Sequence, residues 1–184
     1  MFYNCTNNKE VFGKYIPYCT VLYNSLKNSH KNIRGELSKS KEETAMVQLI
    51  VGKKGKGKTK QLLDKVNGVI KTAEGNIVYL DKSTKHMYEL NNKVRLIDVS
   101  AYPLNNSDEF IGFINGIISQ DHDLQEMYLD SFLKIAQLEG KDITHTLHQL
   151  EKLSEVFRVN FVLSVSMDRE EIPEEFQENI LIAL

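Results

Sequence analysis

Met46-Val47-Gln48-Leu49-Ile50-Val51-Gly52-Lys53-Lys54-Gly55-Lys56-Gly57-Lys58-Thr59 is the stretch whose reading decides this chain. Residues 46–51 make a short, mostly apolar run, as a buried strand requires. Residues 52–59 fit the pattern G-x-x-x-x-G-K-[ST]. Residues 58–71 then bring Leu62, Leu63, Val66, Val69 and Ile70 onto one helical face. Strand, glycine-rich turn and amphipathic helix, in that order, predict a phosphate-binding loop. Glycines let the backbone fold tightly, so that its N–H groups converge on an anion. The helix N-terminus adds its partial positive charge. Gly52, Lys53, Lys54, Gly55, Lys56, Gly57, Lys58 and Thr59 are therefore the candidate nucleotide-binding residues. Lys58 is expected to reach the β- and γ-phosphates as a point charge, and Thr59 to offer its hydroxyl to magnesium. Lys53, Lys54 and Lys56 either strengthen the local field or are simply solvated.

Downstream, apolar runs and helical faces alternate. Residues 77–80 read as a second strand ending at Asp81, and residues 94–99 as a third. Ser107 is the expected N-cap of a helix carrying Phe110, Ile111, Ile114, Ile117 and Ile118 on one side. Residues 126–130 read as a strand or as the opening of a helix to Leu138. Thr144 starts a helix with Leu147, Leu150, Leu153 and Phe157 inward. Residues 160–165 have strong β composition, residues 170–179 read as a short acidic helix, and residues 180–182 as a last strand. Alternation of this kind predicts an α/β domain with a mostly parallel sheet.

The 184 residues suit one domain with a tail. Hydrophobic residues make up 41% and charged residues 26%, an ordinary globular balance. Residues 1–45 read differently and are expected to be a non-core extension. They hold both cysteines, Cys5 and Cys19, and seven basic against four acidic residues. Residues 46–184 are left with a net charge of −5, which argues against nucleic-acid binding. Ser38 to Thr44 reads as a polar linker. Lys41-Glu42-Glu43 just before Met46 matches what a translated ribosome-binding sequence would encode, so Met46 is the expected true start, against a genuine N-terminal arm. No apolar run approaches the ~20 residues that span a bilayer, so membrane insertion is not expected. Two cysteines make no disulfide framework, and a reduced cytoplasmic setting is the default.

On the Walker A motif at 52–59 and the element order after it, residues 46–184 resemble a minimal P-loop NTPase of the additional-strand division, which includes RecA-like and AAA-type ATPases. They also resemble short bacterial ATP-binding proteins labelled as the twitching motility protein PilT. The resemblance implies a three-layer fold with a mostly parallel sheet flanked by helices, and binding of ATP with Mg2+. It does not carry motility across, because the extra domain and the acidic and histidine boxes of pilus retraction ATPases are not evident in this sequence. It also implies a Walker B aspartate, holding magnesium through water at the end of an apolar strand beside the P-loop strand. Asp130 best matches the expected order, with Asp98 and Asp81 as alternatives; Asp168 lies too far past its strand. Asp130 is followed by Ser131 where many relatives have a glutamate that polarises water, so slow hydrolysis is expected, and Glu126 is a poor substitute. Ser166, past the end of the 160–165 strand beside Ser164, is the expected γ-phosphate sensor.

The expected activity is thus that of a slow Mg-dependent ATPase serving as a switch or motor component, with Lys58, Asp130 and Ser166 catalytic and Thr59 and Asp130 on the metal. GTP is disfavoured because no N/T-K-x-D motif occurs. One competing reading is a small-molecule or nucleotide kinase, which is disfavoured because only Arg95, Arg158 and Arg169 lie within 46–184. A second is a nucleotide-gated interaction module whose acidic 168–178 segment docks a basic partner. A third is a MinD-like dimer: Lys53 falls where those ATPases carry a signature lysine, but they follow it with two glycines and here Lys54 intervenes before Gly55. An arginine finger is expected from another copy or a protein partner, with Arg158 and Arg169 as the residues to test. His145 and His148 share a helix face, but no adjacent Cys or carboxylate makes them a metal site.

Overall fold

The computed structural model describes residues 46–184. The reading of residues 1–45 as an extension lies outside the described residues. Six strands form one sheet: β1 (Val47–Val51), β2 (Asn76–Asp81), β3 (Arg95–Asp98), β4 (Leu124–Leu129), β5 (Asn160–Val165) and β6 (Ile180–Ala183). Their order is β3-β2-β4-β5-β1-β6, and every pairing is parallel. Four α-helices lie between them: α1 (Lys58–Val69), α2 (Ser107–Gln120), α3 (Phe132–Ile135) and α4 (Thr144–Phe157). The fold is α/β.

Parallel strands need both faces covered, which is why they read as continuous apolar runs rather than as alternation. Successive side chains of each strand go to opposite faces. Leu49, Val51, Val78, Leu80, Met127, Leu129, Phe161 and Leu163 join the cluster that holds the apolar stripes of α2 and α4. Ile50, Ile77, Tyr79, Tyr128 and Val162 face the other way, onto Leu62, Leu63, Val66 and Ile70 of α1 and its C-terminal turn. Leu90 and Val94, from the connection to β3, close that second cluster.

Several local expectations shift. The N-cap of α2 is Asn106, whose side chain accepts from the Glu109 amide at 2.9 Å, so Ser107 is the first helical residue. Residues 124–129 are a strand, and the helix beyond them is the short α3. The acidic segment is two 3-10 turns, Arg169–Glu171 and Glu174–Asn179, rather than one helix. Pro173 between them has no N–H to continue a helix and disfavours helical geometry at Ile172. The strand carrying Asp130 is not next to β1, because β5 lies between them. Among the described residues no helix is long and apolar enough to cross a membrane.

Candidate functional site

Strand register brings the polar residues together. Leu80 of β2 pairs with Leu129 of β4, and Leu129 with Leu163 of β5. One residue further on, alternation carries Asp81, Asp130 and Ser164 to the α1 side at the C-terminal edge of the sheet. The loop 52–57 leaves β1 at that same edge. Gly52 has φ +142°, and a Cβ there would lie 2.7 Å from the Leu184 carbonyl oxygen. The close approach exists because the Leu184 amide donates to Val51 O at 3.0 Å, extending the chain past β6. Gly52 is thus required both by its backbone and by its neighbour.

Gly57, at φ 89°, is the N-cap of α1, and it has no side chain with which to cap. The other two long helices are served differently: Asn106 caps α2, and Asp142 accepts from the Thr144 amide and hydroxyl at 3.0 and 2.7 Å before α4. Among the described residues the amides of Gly57, Lys58 and Thr59 meet no protein acceptor. Unpaired N–H groups at a helix start, with the helix dipole behind them, form an anion site.

Lys58 is 7% exposed, and its Nζ donates to Gly52 O at 2.6 Å and Lys53 O at 2.9 Å. Burial holds its ammonium below the usual lysine range, against the pull of Asp130. Thr59 Oγ1 donates to Asp130 Oδ1 at 3.2 Å. The same oxygen accepts from the Ser164 hydroxyl and from the Ser131 amide at 2.8 Å. Ser131 adopts a left-handed backbone, φ 54°, that turns its N–H back onto this carboxylate and onto Ser164 Oγ at 2.9 Å. Three donors thus hold Asp130 Oδ1, and the buried Tyr79 hydroxyl lies against the same carboxylate.

These groups line a cleft of about 410 Å3 that also admits Lys54, Gly55, Gly57 and Ser166. Sequence reasoning missed four further lining residues, Lys82, Leu133, Lys134 and Glu139. Lys82 was signalled only by its place directly after a strand end. Lys134 and Glu139 enter through the tight turn at α3, which no motif marks. Ser164 is the serine that engages Asp130; Ser166 lines the cleft further out.

The remaining candidates fall elsewhere. Lys53 pairs with Asp168 at 2.7 Å on the surface, and that partner raises its pKa. Lys56 is exposed and does not line the cleft. Asp98 accepts from the Ser100 amide at 3.0 Å and hydroxyl at 2.6 Å, capping a 3-10 turn. Glu126 accepts from Tyr128 Oη at 2.6 Å, at the start of β4 and away from the cleft. Arg158 ends α4 at the opposite edge of the sheet, so it cannot serve this cleft within its own chain. Arg169 donates to Gln177 Oε1 at 3.3 Å. His148, expected to lack a carboxylate neighbour, has Glu151 at 3.4 Å and Glu175 at 3.1 Å.

Asp81 is the surprise of the site. It is 2% exposed; its Oδ1 accepts from the Lys82 amide at 2.6 Å, and its Oδ2 has no partner. Burial, and then the Asp130 charge, raise its pKa. No protein-family model matches this chain, and no curated protein matches it.

Proposed function

We propose that this chain binds Mg-ATP over Gly52–Thr59 and hydrolyses it slowly, as a switch or motor component with a three-layer P-loop NTPase fold. The observation that carries the reading is the uncapped start of α1, set in a cleft with Lys58 and with Thr59 bonded to Asp130. The first amides of a helix are completed by side chains, by water or by a ligand, and here no side chain occupies them. The strand order lends support, since β5 between β1 and β4 is what the additional-strand division requires.

The donor set suits magnesium, a hard cation that takes hydroxyl and carboxylate oxygen. Thr59 and Asp130 would hold it, and when bound it supplies charge neutralisation at the phosphates. Lys58 exchanges its two carbonyl partners for phosphate oxygens. The free amides of Gly57, Lys58 and Thr59 orient the phosphate chain. Ser164 and Ser131 keep Asp130 in place, and Ser166 faces the outer end of the cleft as a γ-phosphate contact. Among the described residues no arginine lines the cleft. Lys82 and Lys134 supply further positive charge there, and an arginine would come from a second copy or a protein partner.

The test is phosphate release from Mg-ATP by the full chain, beside Lys58→Ala. Slow release that the variant loses supports the ATPase. Release that depends on a small-molecule acceptor would replace it with a kinase. Binding without release would leave a nucleotide-gated interaction module.

A further inference from the structure

We propose that Asp81, His86 and Asp130 form a site for a first-row divalent transition metal, beside the nucleotide cleft and sharing Asp130 with it. One ligand atom from each of the three lies within 4.8 Å of the others. Asp81 and Asp130 are both 2% exposed. Two buried carboxylates this close repel unless a proton or a cation lies between them.

A separate observation points to the ligand. Asp81 Oδ2 is a buried oxygen with no hydrogen-bond partner, and on the same face of β2 the Tyr79 hydroxyl is also buried and unpaired. Buried polar atoms are seldom left so, because each has given up water without gaining a partner. On Asp130 the Thr59, Ser131 and Ser164 donors all converge on Oδ1, which leaves Oδ2 outside those three bonds. Asp81 therefore keeps one buried oxygen free for a cation, with Asp130 beside it.

The third ligand sets the class of metal. His86 Nδ1 lies 2.7 Å from Glu89 Oε1. A carboxylate only accepts, so Nδ1 is the donor in this bond and Nε2 is the nitrogen left for a metal. A carboxylate behind the far nitrogen is the usual way a metal-binding imidazole is oriented. Two carboxylates with one imidazole suit manganese, iron, cobalt or zinc better than magnesium, which prefers oxygen alone. His86 lies on the turn after β2 and is partly exposed.

The site stands on observations separate from the uncapped helix, so it and the nucleotide reading fail independently. The test titrates nucleotide-free full-length protein with Mn2+ alone, following loss of the free-ion paramagnetic resonance. One Mn2+ per chain is expected, with 14N modulation from a coordinated imidazole. Loss of an outer-shell partner alone typically weakens metal binding by roughly 10–100-fold, so His86→Ala, which removes a ligand, is expected to weaken it at least that much and to abolish the 14N signal. Asp81→Asn is expected to do the same to affinity, with folding checked by circular dichroism. No Mn2+ uptake, or uptake unchanged in His86→Ala, overturns the proposal. Mg-ATP binding by the wild type, measured separately, reports on the nucleotide site alone.

Discussion

Replacing Lys58 with alanine separates the two roles that its buried ammonium combines. Without nucleotide, Nζ makes hydrogen bonds of 2.6 and 2.9 Å to loop carbonyls. Charge-assisted bonds contribute roughly 1.5–3 kcal/mol each. The desolvation that lowers the Lys58 pKa opposes them, and the freed carbonyls rehydrate at the cleft mouth. The expected net loss is about 1–2 kcal/mol, or a fall of roughly 2–8 °C in Tm for a chain of this size. With nucleotide the difference grows. ATP at a hundred times Kd should add ~2.7 kcal/mol to the wild type. Losing one or both phosphate bonds raises Kd by roughly 10- to 100-fold. At the same ATP concentration the variant then gains only about 0.4–1.4 kcal/mol. Thermal unfolding with and without Mg-ATP reads both effects. An ATP shift unchanged in the variant would refute the assignment of Lys58. No shift in the wild type with ATP, ADP or GTP would refute the nucleotide site itself.

Ser164→Ala removes the buried hydroxyl that donates to Asp130 and accepts from Ser131; it should cost about 1–3 kcal/mol of stability and weaken the Mg2+ dependence of ATP binding, both read by thermal shift. Phe132→Ala empties a fully buried ring that packs edge-on to Phe110 at 6.3 Å. It should cost ~3–5 kcal/mol in denaturant unfolding, and loosen the adjoining Asp130–Ser131 turn. Asp142→Ala should lower Tm at neutral pH. The Thr144 hydroxyl and amide depress the Asp142 pKa below 3.8, so the stability it adds is present above the unfolded value and lost as pH falls through the folded one. The gap between variant and wild type should therefore close in strong acid, and a gap independent of pH would contradict the cap.

What the sequence determined alone was local. The glycine spacing in 52–57, the apolar run before it and the helical stripe after it define a strand-loop-helix unit, because each depends on residues within one or two turns of chain. Alternating apolar runs were enough for a parallel α/β sheet, since strands buried on both faces carry no polar alternation. The tertiary structure decided everything that depends on neighbours distant in sequence. Asp130, Asp98 and Asp81 all stand at strand ends, and only the tertiary arrangement separates them: Asp130 meets Thr59, 71 residues away, Asp98 caps its own turn, and Asp81 is buried beside Asp130. Ser164 and Ser166 are likewise equivalent in composition, and the pairing of β4 with β5 gives Asp130 to Ser164. His86 carried no signal in the chain, because its place among the carboxylates comes from a turn folding back over two strand ends. Local physics wrote the glycine-rich loop, and side-chain alternation across non-consecutive strands assembled the acidic cluster around it.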